Sequence, residues 1–235
     1  MRSILGALAI VLALPAAGEP PKMTADELVA KNIEARGGAT KLRAITSMHT
    51  VGKIRVGGGS EAKTESWGVA PDKYLSEFSL QGMTAVQAWD GQQAWAISPF
   101  GGRKDPQKLS ADDAKGLVEA ADIAGPLFDW KAKGSKLESL GTEDIDGTDA
   151  YKLRVTQKNG DAVVVFLDPD SFLEIRTVNH RMVRGQEQVQ TTDLGEYEQV
   201  DGVYFPFEVG RNQIDKVEIN VKVDKTFSFP AAVKP

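Results

Sequence analysis

The sequence predicts an α+β protein that is mainly antiparallel β, folded as a strongly curved, incomplete β-barrel of about ten or eleven strands. Three observations carry this prediction. From Ser47 onward, apolar residues recur with period two in short runs separated by turn pairs such as Asp90-Gly91 and Asn159-Gly160. Only three stretches show helical periodicity instead. One run, Ala162–Leu167, is apolar throughout and therefore needs cover on both faces of a sheet.

Three helices are expected beside the strands. A capping box begins the first over Thr24–Arg36, and Gly37-Gly38 end it. A short second helix is expected over Ala39–Ile45. The third is predicted over Ala111–Ile123 and ends at Gly125-Pro126. We expect these helices to cover the open side of the curved sheet around an apolar cavity.

Two further segments complete the predicted architecture. Ser98–Gln107 (SPFGGRKDPQ) is rich in Gly and Pro and is predicted to be a loop before the third helix. The strands then resume, and the last of them is predicted over Lys216–Phe229.

The N-terminus has the order of features that is typical of an export signal. Arg2 supplies a positive charge, Ile4–Leu14 is an unbroken apolar run, and Pro15–Gly18 is small and turn-prone. The apolar run is much shorter than the roughly 20 residues that cross a bilayer. We therefore expect a removable signal peptide at residues 1–18, a single domain over residues 19–235, and a soluble periplasmic protein.

Composition excludes several classes of function. The net charge is −5, and the expected signal peptide carries only the positive Arg2, so the remaining chain is more acidic still. Acidic chains are poor partners for nucleic acid and for adsorption to anionic membrane surfaces, so we expect no nucleic-acid binding. No segment after the expected signal peptide is apolar enough to span a membrane, so we expect no stable membrane insertion. The absence of cysteine excludes disulfides, thiol catalysis, cysteine-based metal sites and an N-terminal lipid anchor.

No catalytic pattern stands out in the sequence. His49 and His180 each lie on a predicted strand without further ligands at metal-binding spacing, and no G-x-S-x-G elbow is present. Asp168-Pro169-Asp170 is typical of an ordinary turn. The sequence therefore predicts no enzyme, no catalytic residue, no metal and no cofactor, with a hydrolase that uses a cryptic site as a remaining alternative.

Large apolar side chains are the candidates for a ligand cavity, although sequence alone does not separate residues that line a cavity from those that fill a core. Phe128 and Trp130 follow Gly125-Pro126 directly and are the candidates for the edge of a lid. The full set of candidate cavity and lid residues is Met48, Ile54, Tyr74, Phe78, Trp89, Trp95, Leu117, Phe128, Trp130, Phe166, Phe172, Phe205 and Phe207.

Three stretches resemble a known family. They are Asn32–Ile45, Ala121–Val155 and Val165–Pro206, the last with Leu167-Asp168-Pro169 and Asp193–Tyr197 as marks. Together they resemble periplasmic proteins of the LolA/LolB type, which are outer-membrane lipoprotein-sorting proteins. The likeness covers most of residues 19–235 and rests on turn and strand patterns.

The resemblance implies a carrier that shields lipoprotein or lipid acyl chains and passes them from an inner-membrane release complex to an outer-membrane receptor. Each CH₂ hidden from water is worth about 0.8 kcal/mol, so such chains need shielding in the periplasm. The family's carrier also uses a buried contact between an arginine and its lid, for which Arg55, Arg154 and Arg176 are the candidates on strands.

The alternative is an envelope regulatory or protein-interaction module of the same fold without lipid transfer. It would work through the loop Phe100–Asp105 or through an exposed sheet edge.

Overall fold

The computed structural model describes residues 22–230, so the predicted signal peptide at residues 1–18 lies outside the described residues. This part of the chain contains three helices and thirteen strands. The helices are α1 (Ala25–Ala35), α2 (Ala39–Arg43) and α3 (Ala111–Ala120). The strands are β1 (Ser47–Arg55), β2 (Glu61–Val69), β3 (Lys73–Leu80), β4 (Met83–Trp89), β5 (Ala94–Ser98), β6 (Arg103–Lys108), β7 (Lys136–Ile145), β8 (Thr148–Thr156), β9 (Ala162–Leu167), β10 (Glu174–Val183), β11 (Gln186–Val200), β12 (Val203–Val209) and β13 (Asn212–Ile219).

The helix boundaries follow from capping. At α1, the backbone N–H of Glu27 donates to Thr24 Oγ1 at 3.3 Å and the Glu27 carboxylate accepts from the Thr24 N–H at 2.8 Å, which completes the predicted capping box. Gly37 then turns the chain at φ +118°, where a Cβ would lie 2.2 Å from the carbonyl oxygen of Gly202. Only glycine fits this position. The side chain of Ser110 caps α3 in the same way as Thr24 caps α1.

All thirteen strands form one antiparallel sheet that does not close. The order is β6-β5-β4-β3-β2-β1-β13-β12-β11-β10-β9-β8-β7, so β6 and β7 are the two edges. The first and last strands pair in the middle, with Met48 opposite Ile219. The sheet therefore has two arms, an N-terminal arm of β1–β6 and a C-terminal arm of β7–β13.

The sheet curves around α3. This helix lies against β3, β4 and β5 and also against β10. Since β3 and β10 are six steps apart in the sheet, a flat arrangement would separate them by about 29 Å at ~4.8 Å per step. A helix is only about 10 Å wide, so both arms must bend toward α3. We call the side of the sheet that faces α3 the concave face.

The sheet has thirteen strands where the sequence predicts about ten or eleven. One reason is β6 (Arg103–Lys108), which occupies the second half of the segment Ser98–Gln107 that was expected to be a loop. Gly102 adopts a left-handed conformation after a short turn, and the chain returns along β5 with Lys108 opposite Trp95. Turn residues dominate the composition of this segment, so its pairing was not visible in the periodicity.

The last strand also differs from the prediction over Lys216–Phe229, because β13 ends at Ile219. Asn220 leaves the strand at φ +57°, and its side-chain Oδ1 accepts from the backbone N–H of Thr46 at 2.8 Å. Residues 221–230, which we call the C-terminal strap, then cross the convex face of the N-terminal arm.

The packing of the C-terminal strap explains why its sequence has the alternation of a strand. Val223, Phe227 and Phe229 alternate because they all point to the same core, formed with Trp67 and Trp95 on the convex face. The indole N–H of Trp95 donates to the carbonyl of Phe227 at 2.7 Å. The alternation therefore reflects burial of one side of the segment and not pairing in the sheet.

The apolar run of β9 is buried on both faces, as its sequence predicts. Val163 and Val165 pack on the concave face with Leu28 of α1. Val164 and Phe166 pack on the convex face, where neighbouring side chains of the sheet cover them. Helical cover therefore accounts for only one of the two faces.

Candidate ligand-binding site

A cavity of about 560 Å³ lies between α3, the irregular segment 121–135 and strands β8–β10. This volume falls within the range of about 300–1,000 Å³ that is usual for small-molecule sites. We call it the α3 cavity. Its lining residues are Gly116, Val118, Glu119, Ala120, Asp122, Gly125, Pro126, Lys133, Ser135, Val155, Gln157, Lys158, Asn159, Val163, Thr177, Asn179 and Arg181.

The α3 cavity has an apolar floor and a polar rim. Val155 and Val163 of β8 and β9 lie at the floor, where both are almost completely buried in the core that packs against α1. Val118 and Ala120 of α3 contribute exposed apolar groups to the opposite wall. The rim carries amides, hydroxyls and five charged side chains. Such a division suits a ligand with an apolar body and a polar end.

Two ion pairs tie the charged residues of the rim together. The guanidinium of Arg181 on β10 makes two hydrogen bonds to the carboxylate of Glu119 on α3, one of them at 2.7 Å. Lys133 Nζ donates to Asp122 Oδ2 at 2.6 Å and to the carbonyl of Gly125 at 2.8 Å. Burial raises the pKa of Asp122, and the positive charge of Lys133 opposes that rise.

Ion pairs also hold α3 to the C-terminal arm at its first turns. Lys115 Nζ lies 2.9 Å from Asp161 Oδ2, and the Asp161 side chain is only 2% exposed. The Arg184 guanidinium lies 2.7 Å from Asp113. We call these two pairs, together with Arg181–Glu119, the ionic latch.

The opposite side of α3 is apolar and faces the N-terminal arm. Ala114 and Leu117 are buried with Ala94, and Tyr74 and Trp89 pack against them. The helix is thus attached to one arm by apolar packing and to the other by charge.

The segment after α3 is held by the partly buried Arg36. Arg36 Nη1 donates to the carbonyl of Ala124 at 2.7 Å and lies 3.8 Å from Glu174 Oε1. The Tyr197 hydroxyl donates to the Glu174 carbonyl at 2.9 Å. Burial raises the pKa of the Glu174 side chain, and Arg36 opposes this. Arg181 and Arg184 are therefore the arginines that pair with α3. Arg36 and Arg43 contact the segment after it.

The three strand arginines named as candidates for a lid contact lie elsewhere. Arg55 and Arg154 are exposed and approach neighbouring strands only loosely, at 3.8 Å from Glu61 and 3.9 Å from Glu138. Arg176 on β10 pairs with Asp193, which lies opposite it on β11, and with Asp146 in the turn between β7 and β8. None of the three contacts α3.

The structure places the thirteen predicted cavity and lid residues mostly in cores of the concave face, and none of them lines the α3 cavity. The core under α3 contains Tyr74, Trp89 and Leu117. The core beneath α2 contains Met48, Phe128, Phe205 and Phe207. The core beside α1 has Trp130 and Phe172 packed against it.

The remaining four residues fall in two places. Ile54 and Phe78 lie on the concave side of β1 and β3, and Phe78 lines a second cavity of about 220 Å³ that is rich in hydroxyl groups. Trp95 and Phe166 lie in convex-face cores. Contact of any of the thirteen with a ligand remains a prediction.

Sequence reasoning missed the residues that line the α3 cavity because they are small or polar. The turn Gln157–Asn159 and the side chain of Arg181 carry no motif, and Gly116 exposes only backbone. The one available signal was the run Ala162–Leu167, since a strand that is apolar on both faces needs a partner above it. The structure that covers the concave face of β9 includes the wall of the α3 cavity.

The histidines have structural partners. The ring of His49 lies between the carboxylates of Glu65 and Glu218, at 3.0 Å from each, and stacks on Trp67. Within residues 22–230, no cluster of three or more His, Asp or Glu side chains could hold a metal ion. No helix in that same range has the length and apolarity needed to cross a membrane.

Comparison with solved structures identifies the fold. The structure of a LolA superfamily protein, NE2245 from Nitrosomonas europaea, matches with a TM-score of 0.55 and 15% identity, over 88% of this chain and 98% of that one. A DUF1329 family protein from Desulfovibrio piger matches with a TM-score of 0.54 and 13% identity, over 85% of this chain and 95% of that one. No protein-family model and no curated protein matches the sequence. The two structural matches confirm the predicted resemblance at the level of architecture, and the chain has a LolA-like fold.

Proposed function

We propose that this protein is an exported carrier that binds acyl chains of lipoproteins or other lipids in the α3 cavity and delivers them toward the outer membrane. The observation that carries the proposal is the cavity of about 560 Å³ with an apolar floor, beneath a helix that is attached by charge on its cavity side. The LolA-like fold and the signal-like N-terminal sequence support it.

The physical role would be shielding. Moving an acyl chain from an apolar site into water costs about 0.8 kcal/mol for each CH₂. Its transfer across an aqueous compartment therefore requires a carrier. Such a carrier makes and breaks no covalent bond, and we propose that this protein is not an enzyme.

Loading and release need an opening, and α3 is the element that would move. Its ionic latch to β10 and the β9 start lies along the cavity, whereas its apolar packing lies on the far side. Movement of α3 away from the C-terminal arm would expose Val155 and Val163. The partners in such a cycle would be an inner-membrane release complex and an outer-membrane receptor, in the periplasm.

The test is native mass spectrometry of residues 19–235, purified from the exported fraction without detergent. We expect a bound mass that denaturation releases and that is identified as a lipid or an acylated peptide. Ala120→Trp would fill the cavity from an exposed position of α3 and should abolish the bound mass. Ala111→Trp, at an exposed position of the same helix that does not line the cavity, is the matched control and should retain it.

An apo mass for the unaltered protein, with no binding of an apolar fluorophore, would overturn the carrier proposal. The interaction module of the same fold would then be the better interpretation.

A further inference from the structure

We infer that the α3 cavity takes a single acyl chain that carries an anionic group, with that group held at the rim by Lys158. This inference rests on the proposed function and narrows its cargo. A free fatty acid and a lysophospholipid share the required chemistry, whereas a lipid with two or three chains does not fit.

The volume of the cavity limits the number of chains. A methylene group takes up about as much space as a water molecule in the liquid, ~30 Å³, so 560 Å³ holds on the order of 20 methylenes. One long acyl chain fills that space, and two would need about twice as much. The walls offer little room for expansion on the sheet side, because Val155 and Val163 are already part of a packed core.

The charged side chains of the rim carry a net positive charge. Four of the five charged lining residues neutralise each other as the pairs Arg181–Glu119 and Lys133–Asp122. The fifth, Lys158, has no ion-pair partner among residues 22–230. An anionic group at the rim would supply this partner.

The position of Lys158 suits that role. It lies in the turn between β8 and β9, at the end of the strand that supplies Val155 to the floor. Its Cδ lies 3.8 Å from where a Cβ would stand at Gly134, so its aliphatic stem runs along the 121–135 segment that walls the cavity. Gln157 and Asn179 add amide N–H donors to the same rim.

The experiment measures binding of palmitate, hexadecanol, palmitoyl lysophosphatidylglycerol and dipalmitoyl phosphatidylglycerol to residues 19–235 by displacement of an apolar fluorophore. The variants are Lys158→Gln and a matched control, Lys104→Gln, which removes an exposed lysine from edge strand β6 away from the cavity. Ala120→Trp reports whether binding occurs in the α3 cavity at all.

We expect one palmitate per protein, and binding of the dipalmitoyl lipid at least tenfold weaker than that of the lysolipid. Lys158→Gln should weaken the binding of palmitate and of the lysolipid about fivefold, which is the upper range for the loss of an exposed ion pair. The variant should leave the binding of hexadecanol unchanged. Lys104→Gln should change none of the four. Across fatty acids of increasing length, affinity should rise about fourfold per methylene and stop rising when the cavity is full.

Two patterns would overturn the inference while leaving the carrier proposal intact. One is equal affinity for the lysolipid and the dipalmitoyl lipid, and the other is an equal effect of Lys158→Gln on palmitate and hexadecanol. Failure of every ligand to bind, or binding that Ala120→Trp does not reduce, would overturn the proposed function itself.

Discussion

Helix α3 meets the two arms of the sheet through different kinds of contact. Toward the N-terminal arm, Leu117 is buried among Tyr74, Trp89 and other apolar side chains. Toward the C-terminal arm, the ionic latch joins the helix to Asp161 and to β10. The α3 cavity lies on the ionic side. The difference indicates that the helix is fixed to one arm and separable from the other.

The two attachments should also respond differently to solution conditions. Salt screens interactions between charges, most strongly where they are exposed to water, whereas apolar packing does not depend on such screening. Raised salt should therefore loosen the C-terminal attachment of α3 and leave the N-terminal one in place. The predictions below test this comparison.

The largest effect is expected at the apolar attachment. Leu117→Ala should lower the free energy of unfolding by about 3 kcal/mol, because it leaves a void between α3 and the N-terminal arm. Urea denaturation measures this change. Val118→Ala on the same helix is the control and should cost less than about 0.5 kcal/mol, since Val118 is 44% exposed. Equal costs for the two variants would mean that α3 is not anchored through Leu117.

A smaller loss is expected at the buried member of the ionic latch. The Asp161 carboxylate accepts from Lys115 Nζ and from the backbone N–H of Met182 at 3.0 Å. Asp161→Asn keeps the shape and removes the charge, so it should cost about 2 kcal/mol of unfolding free energy. Asp149→Asn, at an exposed position of β8, should cost little in the same urea titration. A loss for Asp161→Asn no larger than that of the control would contradict a structural role for this pair.

The partly buried Arg181–Glu119 pair of the latch should affect local opening and not global stability. Glu119→Gln weakens the contact with Arg181, so the α3 amides should exchange faster. The free energy of local opening that hydrogen exchange reports for α3 should fall by about 1 kcal/mol. High salt should quicken exchange in the unaltered protein and have less effect in the variant. Glu138→Gln, which alters a loose pair on β7, is the control and should leave α3 unchanged. Exchange in α3 that is the same in Glu119→Gln and in the unaltered protein would show that this pair does not hold the helix.

The parts of the fold that follow from local patterns were predictable. A capping box placed the start of α1, the Ser110 cap marks the start of α3, and the apolar run of β9 indicated burial on both faces. The errors lie where distant segments decide the structure. Strand β6 exists because β5 offers it an edge, and the C-terminal strap alternates because it packs on Trp67 and Trp95.

The candidate site was harder to predict for a related reason. Aromatic residues were the natural candidates for a lipid cavity, yet residues that bury the most area also make the best core. The α3 cavity is lined by short or polar side chains from α3, β8 and β10, which approach one another only because the sheet curves. No spacing within the sequence encodes that curvature, so a residue such as Lys158 gives no sign of its position.

The last prediction concerns the buried contact that holds the segment after α3, and it is a change in pH dependence. Burial raises the pKa of Glu174 in the folded protein above its unfolded value near 4.5, despite the opposing charge of Arg36. The folded state therefore holds this proton more tightly than the unfolded state. The contribution of the protonated Glu174 carboxyl to stability is complete below about pH 4.5, and it is lost as the pH rises through the pKa of the folded state.

Glu174→Gln removes the titrating group while retaining the shape and the zero charge of the protonated acid. Relative to the unaltered protein, the variant should gain stability as the pH rises above about 4.5 and should show a constant difference below that value. Urea titrations across this range measure the change, and Glu196→Gln, at an exposed position of β11, is the control. A stability difference that stays constant with pH would mean that Glu174 keeps an ordinary pKa. Glu174 would then contribute no pH dependence to stability, and only the ionic latch would make α3 responsive to its surroundings.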